Sequence, residues 1–137
     1  MRKIHVPEWW IMTWQAPWLL NLISRITRTR YDGITLPFLI ITRHCDADFR
    51  RASAPRQRSW AQLINHERIH AHQQIETLIV GFFVLYVFEY LWARVEGWSH
   101  YDAYRRISFE TEAYHHQHQL DYLATRKRFA FARHWSD

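Results

Sequence analysis

His66-Glu67-Arg68-Ile69-His70 decides how this chain is read. The string has the form H-E-x-x-H. On a helix, residues four apart lie one above the other, so His66 and His70 present both imidazoles on one side, at a spacing that one metal ion can bridge. Glu67 falls beside them, where a carboxylate can take a proton from water. The motif predicts a helix through this stretch and a metal-assisted hydrolytic site on it.

Upstream, Ser59 is a plausible N-cap for that helix, which would begin near Trp60. Residues 43–58 carry Arg43, Arg50, Arg51, Arg56, Arg58 and Pro55 and read as a polar loop. Residues 34–42 (ITLPFLIIT) are β-branched and apolar and come after the turn signal Asp32-Gly33, which makes them the best strand in the chain. Pro37 cannot donate to a ladder, so the strand is expected at a sheet edge or at a bulge. Residues 8–24 are apolar, with Trp9, Trp10, Trp14 and Trp18 at helical spacing. They predict a short interfacial helix broken near Pro17, or a lid packed on the core.

Downstream, residues 75–92 contain an apolar run from Thr77 to Phe88, flanked by Glu76 and Glu89. A helix of that run reaches only about 18 Å, against roughly 30 Å of bilayer hydrocarbon. Extending it through Trp92 approaches a span but places Glu89 in lipid at a cost. A helix half inserted, or packed on its own domain, is the expectation. If it did span, the Arg-rich stretch before it would put the motif on the cytoplasmic side. Gly97 ends this element. Residues 101–125 then form a polar helix or helix pair, with joints at Asp102-Ala103-Tyr104 and Ile107-Ser108-Phe109. The basic, aromatic tail from Arg126 to Asp137 is expected on the surface.

Composition narrows the class. A length of 137 residues fits one domain. The net charge of +5 and pI near 9.7 suit an anionic membrane surface. Nucleic acid is not expected, because no nucleic-acid motif accompanies the charge. Aromatic residues make up 17% of the chain, which fits either an interfacial location or a small core filled with large rings. Cys45 is the lone cysteine, so no intramolecular disulfide can form. Met1-Arg2-Lys3 is a charged start, but Pro7 and Glu8 interrupt the stretch after it and no small-residue cleavage site appears, so no signal peptide is expected.

Two histidines do not complete a catalytic zinc site, which takes three protein ligands and an open position. The third ligand is expected on a later helix. Glu110 and Glu112, in Ser108-Phe109-Glu110-Thr111-Glu112-Ala113-Tyr114, are the candidates. With these residues the chain resembles the gluzincin metallopeptidases, in the style of the membrane-embedded CAAX prenyl proteases and heat-shock membrane peptidases. It is also similar to small bacterial proteins with an NHExxH…FExEAY pattern. The resemblance covers residues 59–118. It implies zinc held by His66, His70 and Glu110, the last opening an E-x-x-A-D string with Ala113 as its small residue. The family's Asp, which supports a zinc histidine from behind, falls on Tyr114. Tyr114 or His118 would have to replace it.

What the resemblance implies is a mostly α, α+β domain over residues 1–137. It would comprise a Trp-rich interfacial segment at 1–30, zinc-site helices within 59–125, and a short edge-strand sheet of minimal zincin type. The activity implied is peptide-bond hydrolysis near a membrane on a peptide or protein substrate. Glu67 would be the general base and Tyr114 a catalytic partner, with Tyr104 and His100 also open for the oxyanion role. The substrate would pair along strand 34–42. His72, His115, His116 and His118 read as solvated helix surface. Two rival readings remain. Glu67-x-x-His70 and Glu112-x-x-His115 are paired Glu-x-x-His strings, and with Glu89 or Glu96 and Glu8 they would build a di-iron oxidase. The other rival is a membrane-attached interaction protein with a degenerate metal site.

Overall fold

The structure, a computed structural model, describes residues 11–135. Trp9, Trp10 and Glu8, which carry part of the reading of the N-terminal stretch and of the di-iron rival, lie outside them. The fold is mostly α with one small sheet: β1 (Met12–Gln15), α1 (Pro17–Thr27), β2 (Gly33–Leu36), β3 (Leu39–Thr42), α2 (Asp46–Phe49), α3 (Ala54–Glu76), α4 (Val80–Val95), α5 (His100–Arg105), α6 (Ser108–His116), α7 (Tyr122–Thr125) and a 3-10 helix at Ala130–His134.

The sheet runs β1-β3-β2, with β1 parallel and β2 antiparallel to β3. Two sequence expectations change here. Residues 34–42 are not one edge strand but a hairpin. Pro37 and Phe38 form its turn, Phe38 taking a φ of 63°, and Leu36 pairs with Leu39. Proline presets the turn and donates to no ladder there, so it separates two strands instead of weakening one. β3 becomes the central strand and β2 an edge, packed on α3. Nor does Pro17 break a helix. It stands in the first turn of α1, where its missing N–H costs nothing, and Trp14 belongs to the strand before it.

Helix α3 also starts earlier than Ser59. Ser53 precedes it, Pro55 lies in its first turn, and Ser59 Oγ merely donates to the Pro55 carbonyl at 3.1 Å. The apolar stretch 75–92 is not one helix. Leu78 and Ile79 take φ values of 56° and 64°, and α4 leaves α3 at 111°. Left-handed residues cost roughly 1–2 kcal/mol each. The bend is offset by what it achieves: α4 folds back so that Phe82 packs on Phe109 and Tyr86 reaches Glu110. No single helix among the described residues is long and apolar enough to cross a membrane, although α3 and α4 together have the length and composition of a bent span.

The polar residues of α4 act as joints. The Glu89 carboxylate accepts from the Ser108 N–H at 2.6 Å and from its hydroxyl at 2.8 Å, which satisfies the free amide at the start of α6. The core has two parts, one around Phe82, Ile107, Phe109 and Phe131, the other around Ala16, Leu20 and Ile41. The tail is thus not wholly superficial. Phe131 is buried with its ring centroid 4.3 Å from that of Phe109, and Arg126 is almost fully buried between Glu76 and Glu112.

Candidate metal centre

His66 and His70 are separated by one helical turn of α3 and are both buried. Their Nε2 atoms face each other at 3.0 Å. Each ring is held by its other nitrogen: His66 Nδ1 lies 3.2 Å from Gln117 Oε1, and His70 Nδ1 lies 2.7 Å from Gln73 Oε1. An amide oxygen only accepts, so each Nδ1 donates to it and each Nε2 is turned toward the site. The orientation of Gln73 is fixed independently, because its nitrogen donates to Phe109 O at 3.1 Å and to Glu112 Oε2 at 2.9 Å.

Helix α6 brings Glu110 to the same point, with Oε2 3.4 Å from His66 Nε2 and Oε1 3.4 Å from His70 Nε2. Tyr86 donates to Oε1 at 2.7 Å and Tyr104 to Oε2 at 2.9 Å. Ligand atoms of His66, His70 and Glu110 all lie within 4.8 Å of one another, the one such grouping among the described residues. Four ligands around zinc at about 2.0–2.1 Å stand roughly 3.3 Å apart, so these separations fit a tetrahedral ion, and two imidazoles with one carboxylate are a zinc donor set.

Electrostatics agree with the geometry. Burial pushes the His70 pKa down, but the Glu110 carboxylate outweighs it and raises it to about 9. Burial likewise opposes charge on Glu110, yet the two imidazoles hold its carboxyl well below the usual range. The cluster therefore stabilises a carboxylate beside positive charge inside the protein.

Glu67 is buried and lines the same cavity of about 160 Å³, together with Tyr31, Thr35, Phe82, Tyr86 and Tyr104. β2 holds its carboxylate. Thr35 Oγ1 donates to Oε2 at 2.7 Å, and the backbone of Gly33 approaches so closely that a Cβ there would stand 2.6 Å from Oε1. Gly33 is needed for that approach, not for an unusual backbone conformation.

Other expected residues fall elsewhere. Glu112 is not at the centre: Arg126, Tyr122 and Gln73 surround its carboxylate. Tyr114 does not line the cavity. Its ring packs on that of His66 at 4.5 Å, and its hydroxyl lies 3.2 Å from that of Tyr104. Nor does Tyr114 or His118 replace the family's supporting Asp. Gln117 holds His66, and His118 is exposed, away from the cavity, as its reading as solvated surface has it. His100 is tied to Thr29 and Tyr90, each at 2.7 Å, away from the cavity. His72 is half-buried rather than solvated, and burial, aided by Arg126, lowers its pKa to about 4.

The di-iron arrangement does not form among the described residues. His115 is exposed beside His116, Glu89 caps α6, and Glu96 accepts from the indoles of Trp92 and Trp98. Sequence reasoning missed Tyr86, Gln73, Gln117 and Thr35. Gln73 had a signal, standing three residues after His70 on the same helix. Tyr86 was hidden in an apolar run.

No protein-family profile, curated protein or solved structure matches this chain. The likeness to gluzincins therefore rests on the motif residues.

Proposed function

We propose that this protein is a zinc-dependent hydrolase of peptide bonds. The observation that carries the reading is the convergence of His66, His70 and Glu110, with ligand atoms within 4.8 Å, on a cavity that Glu67 also lines. His66 Nε2, His70 Nε2 and one Glu110 oxygen would hold the ion, while Gln73 and Gln117 orient the rings. Zinc, when bound, acidifies water and polarises a carbonyl. The Glu67 carboxylate, fixed by Thr35, takes the proton of the attacking water and passes it to the leaving amine. The phenol of Tyr104 or Tyr86, each now donating its one proton to Glu110, would turn from it to donate to a developing oxyanion, the role expected of Tyr114 from the sequence. Among the described residues β2 is an edge strand beside the cavity, and an extended peptide would add to it as a strand by displacing the Gln74 amide, which donates to the Thr35 carbonyl at 2.9 Å.

The working place in this reading is a membrane surface, and the basic stretch Arg50–Arg58 favours the anionic cytoplasmic leaflet. Two measurements test the function: metal content of the untagged protein by elemental mass spectrometry, and hydrolysis of a peptide library by wild type and Glu67→Gln. The expected result is about one zinc per chain, retained in Glu67→Gln while cleavage disappears. Two irons per chain, no metal, or undiminished cleavage by the variant would each overturn it.

A further inference from the structure

Helix α4 is built the wrong way round for water. The polar side chains of its middle turns face inward: Tyr86 to Glu110, Glu89 to Ser108 and Tyr90 to His100. Its outward face is apolar from Val80 to Leu91, and the exposed Arg94 joins it in the last turn. Val80 is 71% exposed, Val84 61%, Val87 53%, Phe88 52%, Leu91 55% and Val95 84%. A soluble helix does the reverse, and a continuous bare apolar stripe marks a surface that is covered in use.

The C-terminal end of the stripe says what covers it. Trp92, Trp98 and Tyr101 are exposed there. The Arg94 guanidinium donates to the Trp98 carbonyl, and that of Arg106 lies over the Trp98 ring at 4.4 Å. Beside them is an open groove of about 310 Å³ lined by Trp98, Asp102, Arg105, Arg106 and Thr111. Glu96 and Asp102 offset part of this charge, but three arginines outnumber two acids, and the whole chain is at +5. Apolar length followed by exposed indoles and guanidinium groups is the order met on passing from hydrocarbon to anionic headgroups. Two copies of a +5 chain repel each other, whereas an anionic bilayer attracts each.

We propose that the outer face of α4 seats this protein in an anionic bilayer, with Trp92, Trp98 and Tyr101 at headgroup level and the Arg105–Arg106 groove taking a lipid phosphate. The inference deepens the membrane part of the proposed function and gives it a face. Phe83 belongs both to the exposed side of α4 and to the cavity wall, so the candidate site opens at the margin of the seated surface.

Vesicle flotation tests it, with phosphatidylcholine vesicles and with vesicles also containing phosphatidylglycerol. The assay reads binding alone, so failure of the metal reading leaves its outcome interpretable, and the reverse holds. Wild type is expected to float with the anionic vesicles. Val84→Glu and Phe88→Glu, at exposed positions that leave the fold intact by circular dichroism, should each lower partitioning by at least about ten-fold. Arg106→Glu should reduce the preference for anionic vesicles, and free inorganic phosphate should not displace the protein. Leu120→Glu, at an exposed position in the turn after α6, should float as wild type does. Absence of wild-type flotation, or flotation of both α4 variants like wild type, would overturn the proposal. So would a lipid-free dimer dissolved by the same substitutions, which would give the face to a second copy.

Discussion

The side-chain amide of Gln73 donates to Glu112 Oε2 at 2.9 Å, and this bond decides which way its carbonyl oxygen faces. That oxygen is the partner of His70 Nδ1 at 2.7 Å. Glu112, a rival for the third ligand on sequence spacing, thus acts on the centre through Gln73. Glu110, two residues earlier, is the acid that stands with His66 and His70.

Gln73→Met should keep the helix and lose the orienting bond on His70. Loss of such a partner typically costs roughly 10–100-fold in metal affinity. Zinc titration against a chromophoric chelator reads it. An unchanged affinity would mean that packing alone aims the ring.

Gly33→Ala puts a methyl group where the Glu67 carboxylate now sits, 2.6 Å from Oε1. Zinc content should be unchanged, because no ligand is touched. Cleavage should fall on the order of 10²-fold, the usual effect of displacing a reacting group by about an ångström. Parallel metal analysis and peptide assay separate the two effects, and loss of metal would show that the shift propagates to His66 or His70.

Tyr86→Phe and Tyr104→Phe each remove one hydrogen bond from Glu110, at Oε1 and Oε2 respectively. If both phenols only hold the ligand, each variant loses zinc affinity by about ten-fold with little change in kcat at saturating zinc. The phenol that serves the oxyanion is the one whose loss lowers kcat by about 10²–10³-fold. We expect that to be Tyr104 or Tyr86 and not Tyr114.

Arg126 is buried against Glu76 and Glu112, with its side chain 3% exposed. Arg126→Met strands two acids and should cost about 3–5 kcal/mol in urea unfolding. Burial pushes the Glu112 pKa up, but hydrogen bonds from Arg126 prevail and leave it below 4.5. A depressed carboxyl pKa contributes stability that is present above the unfolded value and lost as pH falls through the folded one. Wild type should therefore lose stability on acidification below the ordinary carboxylate range. Arg126→Met should lose less over the same interval, as urea midpoints measured by circular dichroism would report.

Much of the candidate centre was legible because its signals are local. His66, Glu67 and His70 lie within one turn of a helix, and helical periodicity alone sets their relative directions. Glu110 was legible by resemblance, and two residues of doubt remained because Glu110 and Glu112 are both acids on one short helix. The hairpin at 33–42 was half legible. Pro37 signalled an interruption, but whether it weakened one strand or divided two depended on Phe38 adopting a positive φ. Tyr86 was not legible, since nothing in an apolar run marks one phenol as facing a carboxylate 24 residues away.

The sequence by itself determined the mostly helical character, the histidine pair with its neighbouring acid, and the apolar character of residues 77–88. These arise from residue type and from periods of two to four residues. The tertiary structure alone decided which glutamate joins the histidines, which tyrosines attend it, and which side of α4 is left bare. All three come from the 111° bend after α3 and from the packing of α6 against α3. A bend set by two left-handed residues carries no periodic signal, and its orientation is settled only when distant helices bury their faces together.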